Sequence, residues 1–173
     1  LGGDGGARFR RGILVHRLLQ SLPDLSPGER ETAARAFLAR QRPAPPAEMA
    51  DALVDEVMAV LADPAAAPFF GAGSRPEVPL VGTVGERAVS GQVDRLAVTE
   101  EGVWAIDYKT NRPPPERPEA VPPLYRRQMA LYKALLEGLW PGRTVRCALL
   151  WTDGPRLMVL PDDLLELSTI QNA

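Results

Sequence analysis

Cysteine, histidine and excess positive charge are all scarce in this chain, and each scarcity closes off a class of function. Of 173 residues one is cysteine, Cys147, and one is histidine, His16. A single thiol excludes an internal disulfide and any cysteine-built metal cage, and it suits a reducing cytoplasm. Cys147 sits in an apolar run over residues 145–151, where buried filler is its expected role. Lysine and arginine number 20 against 22 aspartates and glutamates, a net charge of −2. A domain that grips nucleic acid alone is usually basic, so this balance fits better a module whose substrate is delivered to it. No apolar stretch reaches membrane-spanning length and no signal peptide is evident, so no membrane partner is expected. Internal repeats, a phosphate-cradling glycine loop and a nucleophilic serine arrangement are also lacking.

What is present is an ordinary globular composition, 45% apolar and 24% charged, in a length that buries one core without staples. The glycine-rich start predicts a linker or cut end over residues 1–10. Ile13, His16, Leu19 and Leu22 then recur at helical spacing until Pro23 stops them. Ser26-Pro27-Gly28-Glu29 reads as a helix start, with serine as N-cap, of a helix running to about Arg40. Past Pro43, Pro45 and Pro46 a third helix is expected over 47–61, striped by Val54, Val57, Met58 and Leu61, then an apolar loop over 68–71.

The character changes at that point. Valine-rich, alternating segments at 77–84, 88–99 and 102–110 predict a three-strand meander. Six prolines between Arg112 and Pro123 argue against helix or inner strand there. A strong helix is expected over 124–140, then strands over 144–151 and 156–160 hinged at Asp153-Gly154-Pro155. Helices, three strands, a helix and further strands imply an α/β fold with a mixed central sheet, flanking helices and an N-terminal helical extension. The expected division is a helical part over 11–70, an α/β catalytic core over 75–160 and a tail over 161–173.

The chemistry gathers at two strand ends. Asp94 follows one apolar run, and Asp107 and Lys109 follow the next. Side chains alternate along a strand, so Asp107 and Lys109 share a face with Tyr108 opposite. A turn at Thr99-Glu100-Glu101-Gly102 makes the two strands antiparallel neighbours. Two carboxylates and an ammonium then converge, which is equipment for holding a hard divalent cation beside a scissile phosphate. Around them several readings stay open. His16 is a core histidine or a ligand, and Glu77 an edge acid or a metal ligand, direct or through water. Gln128 and Tyr132, stacked on one helix face, are core and rim or a brace for the strand, with Tyr125 and Tyr132 meeting nucleic acid. Arg112, Arg117, Arg126 and Arg127 are solvated charges or phosphate contacts.

Five pieces fall in one order: Gly12-x3-His16-x-Leu18-Leu19, Glu77, Gly91-x2-Asp94, Asp107-Tyr108-Lys109-Thr110 and Gln128-x3-Tyr132. Together they resemble the RecB-like branch of the PD-(D/E)XK nuclease superfamily, over about residues 11–160. Tyr125-x2-Gln128-Met129-Ala130 and Leu150-Trp151-Thr152 are further similar to the C-terminal nuclease domains of AddA-type bacterial helicase–nucleases. The resemblance implies a restriction-endonuclease-like core and a magnesium-dependent deoxyribonuclease of exonuclease type, manganese substituting. It implies that His16, Asp94 and Asp107 ligate the metal with the Tyr108 main-chain carbonyl assisting, and that Asp94, Asp107 and Lys109 carry catalysis. Glu77, Gln128 and Tyr132 would brace the site or contact DNA. The implied substrate is a single DNA strand delivered by a helicase during double-strand-break repair, with ATP-binding helicase domains of the same chain and an AddB-like subunit as partners. The rivals are a nuclease-fold module that binds DNA or a partner without cutting, and a free-standing exonuclease.

Overall fold

The computed structural model of the chain describes residues 3–166. Helix α1 spans Gly3–Ser21, α2 Pro27–Ala39 and α3 Ala47–Ala62. Strands β1 (Ser74–Val84), β2 (Arg87–Thr99) and β3 (Gly102–Lys109) follow, then helix α4 (Pro123–Leu139), β4 (Val145–Trp151) and β5 (Arg156–Leu160). The five strands form one sheet in the order β1-β2-β3-β4-β5. The first three are an antiparallel meander, β3 and β4 are parallel, and β4 and β5 are antiparallel. A parallel step needs a crossover, and α4 supplies it. The mixed sheet with flanking helices is the architecture that the pattern predicts.

Alternation along β3 sorts the core into two halves. Trp104, Ile106 and Tyr108 pack with Leu14, Val15, Leu18 and Leu19 of α1 and with Leu53, Val54 and Val57 of α3. Val103 and Ala105 face the other way, with Met129, Leu135 and Leu136 of α4 and with Cys147 and Leu149 of β4. Every residue of β3 is buried, as expected of a strand covered on both faces. Burying one such leucine or isoleucine contributes about 1.5–3 kcal/mol. Cys147 is filler, its thiol pushed up to about 12 by burial.

The β2–β3 connection is a two-residue turn, because Thr99 pairs with Gly102. Gly102 has φ +145, and a Cβ there would lie 2.3 Å from the Thr144 carbonyl oxygen. No side chain fits where the turn meets the entry to β4.

The structure departs from the expected boundaries in five places. Helix α1 already runs from Gly3, so most of the segment read as a linker is helical; residues 1 and 2 lie outside the described residues. Strand β1 starts at Ser74, which puts Glu77 inside the strand; Pro76 and Pro79 are tolerated because β1 is an edge. The apolar loop is a short 3-10 turn, Ala67–Phe70, with the Phe69 ring 4.9 Å from Trp104. The proline-rich segment holds a single 3-10 turn at Pro118–Ala120, with a proline in its first turn, where the missing N–H costs nothing. Of the expected tail, Asp162–Leu165 forms one more 3-10 turn, and residues 167–173 lie outside the described residues. No helix among the described residues is long and apolar enough to cross a membrane.

Candidate metal centre

The site forms where the β2–β3 ladder stops. Their pairing extends to Arg95 opposite Ile106. One step further, the Asp94 side chain replaces the strand bond: its Oδ2 accepts from the Tyr108 main-chain N–H at 2.7 Å. That bond holds the carboxylate at the end of the hairpin, with Oδ1 3.4 Å from Nδ1 of His16. His16 reaches it because the Leu14, Val15, Leu18 and Leu19 face of α1 is locked into the core. The Tyr108 ring meets the imidazole edge-on, 5.5 Å between centroids.

Glu77 completes the group from β1. It lies level with Asp94, between the pairs Pro76–Arg95 and Val78–Val93. Its φ of 52° makes it the one non-glycine residue with a positive φ among those described. A left-handed glutamate costs on the order of 1–3 kcal/mol, and such strain belongs with a side chain that must be aimed. Ligand atoms of His16, Glu77 and Asp94 all lie within 4.8 Å of one another. One imidazole and two carboxylates suit a divalent cation, with oxygen favouring magnesium and nitrogen acceptable to manganese.

Asp107 lies outside that group of three. Its Oδ2 is 2.5 Å from Lys109 Nζ, and its Oδ1 accepts from Gln128 Nε2 at 3.0 Å. The carboxylate is 3% exposed, so it needs a compensating charge, and the ammonium on the same strand face is nearest. Burial first, and then the charge of Asp94, push its pKa up to about 6 against the pull of Lys109. Of the expected trio, His16 and Asp94 approach one another together with Glu77, while Asp107 is paired with Lys109 beside them.

Helix α4 ties these parts together. Gln128 accepts from Lys109 at 3.3 Å and donates to the Tyr132 hydroxyl at 3.0 Å. Tyr132 donates to the Gln92 carbonyl at 2.9 Å, and the Gln92 amide donates to Glu77 Oε2 at 2.5 Å. One relay thus runs from the lysine to the acid on β1. Tyr132 is 6% exposed with its hydroxyl used within the protein, the position of a brace and not of a surface reader. Gly91 makes room for it: a Cβ there would lie 2.6 Å from the Tyr132 ring. Tyr125 lies under Lys109, its ring centroid 3.9 Å from Nζ.

Three contributors had no role in the sequence reading. Glu56, 8% exposed on α3, accepts from Arg11, Arg112 and Thr152. Arg95, 2% exposed, donates to the Tyr108 hydroxyl at 2.9 Å, to Ser74 and to the Leu19 carbonyl. Gln92 is the third. Glu56 falls at helical spacing from Leu53 and Val60 on the buried face of α3, which was its one signal; Arg95 and Gln92 carried none beyond lying near Asp94 in the chain. Of the four arginines around the proline-rich segment, Arg112 lines the cavity beside the metal group.

Glu77→Gly is expected to separate stability from function. Relief of the left-handed backbone is offset by about 0.4–1 kcal/mol of extra unfolded-state freedom. Thermal melts should show an unchanged or slightly raised Tm in the absence of metal, while metal-dependent activity is lost. A drop of several degrees would instead make Glu77 a stability residue.

A family model described as the PD-(D/E)XK nuclease superfamily matches residues 3–160. No curated protein matches the chain. Among solved structures the chain is similar to one described as the crystal structure of SSO0001. It is 14% identical, over 90% of this chain and 72% of that one, with a TM-score of 0.40, too loose a likeness to support more.

Proposed function

Because the chain belongs to the PD-(D/E)XK nuclease superfamily, we propose that it is a magnesium-dependent deoxyribonuclease whose cation is held by His16, Glu77 and Asp94. The observation that carries this reading is the mutual approach of those three side chains within 4.8 Å, next to the buried Asp107–Lys109 pair. When bound, the cation polarises the phosphate and lowers the pKa of a water. The remaining work belongs to the chain. Asp107 and Gln128 fix the Lys109 ammonium, and that ammonium offsets negative charge developing on the phosphate oxygens. Gln92 holds Glu77, and Tyr132 holds Gln92. Asp107 stays paired with the Lys109 ammonium and is close enough to the group for its charge to help raise the pKa of His16.

The finer reading is a nuclease module of an AddA-type helicase–nuclease, working in the cytoplasm on a strand fed to it at a double-strand break, with helicase domains and an AddB-like subunit as partners. The order of the five motif pieces supports it, as does the absence of a basic excess. The test is cleavage of end-labelled single-stranded DNA with magnesium or manganese, abolished by EDTA and restored by excess metal. Failure to cut under any of these conditions would overturn the nuclease reading.

Protonation gives a second check. Burial opposes a charge on His16, but hydrogen bonding to Asp94 and then the nearby carboxylates outweigh it and raise its pKa. Burial and then Asp94 raise Glu77, and Asp107 stands at about 6. A raised histidine stabilises the fold below its ordinary pKa and loses that benefit as pH rises through the folded value. Raised carboxylates cost stability as they ionise. The cation-free protein therefore weakens from about pH 4 upward past neutrality, while cation binding requires those same protons to leave. The magnesium-induced rise in Tm is expected to grow between about pH 5 and 8, measured by paired melts. A pH-independent shift would contradict this ligand set.

A further inference from the structure

Helix α1 has a second face that the core does not use. Phe9, Gly12, Ile13, His16, Arg17 and Gln20 line a cavity of about 810 Å³, closed on its other side by Glu77, Asp94 and residues 110–112. Positions 9, 13, 16 and 20 fall three or four apart, so they form one continuous stripe. Phe9 is 74% exposed and Ile13 38%. A single exposed aromatic is unremarkable. Here it stands in line with an exposed isoleucine and with a metal-group histidine, about 10 Å further along the helix at 1.5 Å per residue.

The charges bordering the stripe are positive. Arg17 has no carboxylate partner among the described residues, and its exposed guanidinium lies on the same cavity wall. Arg11 and Arg112, from opposite walls, converge on the buried carboxylate of Glu56, which holds both heads at the cavity rim. A flat apolar ring bordered by the exposed Arg17 guanidinium and by two fixed ones, Arg112 also pairing with Asp153 at 3.3 Å, matches an unpaired base with phosphates on either side. A duplex offers no such fit, because its base faces are already stacked on one another.

We propose that this face of α1 is the entry track for single-stranded DNA: a base one or two nucleotides from the metal group stacks on Phe9 against Ile13, while Arg17 and the Arg11–Arg112 pair take the flanking phosphates. The proposal rests on the nuclease reading for the direction of the strand, and its test is independent of cutting.

The experiment measures fluorescence anisotropy of a labelled oligothymidine in EDTA, where no metal supports hydrolysis, with a blunt hairpin duplex as comparison. Phe9→Ala is expected to weaken single-strand binding about tenfold, the worth of one stacked base. Phe9→Trp is expected to restore it, and binding of the hairpin should not change. Ile13→Ala should weaken the single strand by a smaller factor. Unchanged single-strand binding in Phe9→Ala overturns the proposal, as does an equal loss for both nucleic acids. It is also overturned if sedimentation shows self-association that Phe9→Ala abolishes while DNA binding stays intact, since the face is then a protein contact. Hydrolysis of bis(p-nitrophenyl) phosphate by the wild-type protein with magnesium reports on the nuclease reading alone, because that substrate has no strand to guide.

Discussion

Asp94→Asn is expected to abolish metal-dependent cleavage and the metal-induced rise in Tm together. Asp94 joins two functions in one side chain: Oδ2 accepts from the Tyr108 N–H, and Oδ1 faces His16 in the cation group. Asparagine keeps an oxygen for the first and loses the charge for the second. A bound cation is worth several kcal/mol in stabilising a phosphoryl transition state, so the loss should be at least about 10³-fold. Metal-free stability at neutral pH should change little. The variant weakens the contact that helps raise the pKa of His16, but Asp94 adds its repulsion to burial in raising the pKa of Asp107 and of Glu77. Removing that charge relieves both. Cleavage at the wild-type rate, or an undiminished metal shift, would show that the cation does not sit on Asp94.

Lys109→Met is expected to divide the two readouts that Asp94→Asn removes together. Cleavage should fall about 10²–10³-fold, the cost of losing one preorganised group aimed at developing charge. The metal shift in Tm should persist, because the lysine is not among the His16, Glu77 and Asp94 ligand atoms. It should in fact grow. Lys109 and Asp107 are a buried pair at 2.5 Å, and leaving one partner alone costs about 3 kcal/mol or more. A nearby divalent cation then becomes the compensating charge for Asp107. The double variant Asp107→Asn with Lys109→Met should recover most of the lost metal-free stability. A Lys109→Met protein that cuts normally would remove the lysine from the mechanism.

Much of this site was legible because strand geometry is strictly local. Alternation alone put Asp107 and Lys109 on one face and Tyr108 on the other, and the two-residue turn set Asp94 and Asp107 near one another. Proline and glycine marked the element ends, and the 3.6-residue period marked the helices. The unread parts depend on contacts between residues far apart in the chain. His16 and Asp94 are separated by 78 positions, and only docking of α1 on the sheet brings them together. Glu77 reads as an ordinary edge acid until its positive φ is seen. Its neighbours Pro76 and Val78 predict an extended strand, and the left-handed residue between them is fixed by the site rather than by local preference. Glu56 and Arg95 are charges that composition places on the surface. They are buried because each meets three partners contributed by different elements. Asp107 had a legible position, but its pairing with Lys109 in preference to the His16 group reflects how deeply the carboxylate is buried, which spacing does not report.

The most direct measurement is anomalous diffraction from crystals of the protein soaked in manganese. The predicted result is a peak at coordination distance from His16, Glu77 and Asp94, absent from Asp94→Asn crystals soaked in parallel. No peak there in the wild-type protein, or one bound elsewhere and unaffected by Asp94→Asn, would contradict the assignment of this cluster as the metal centre of a nuclease.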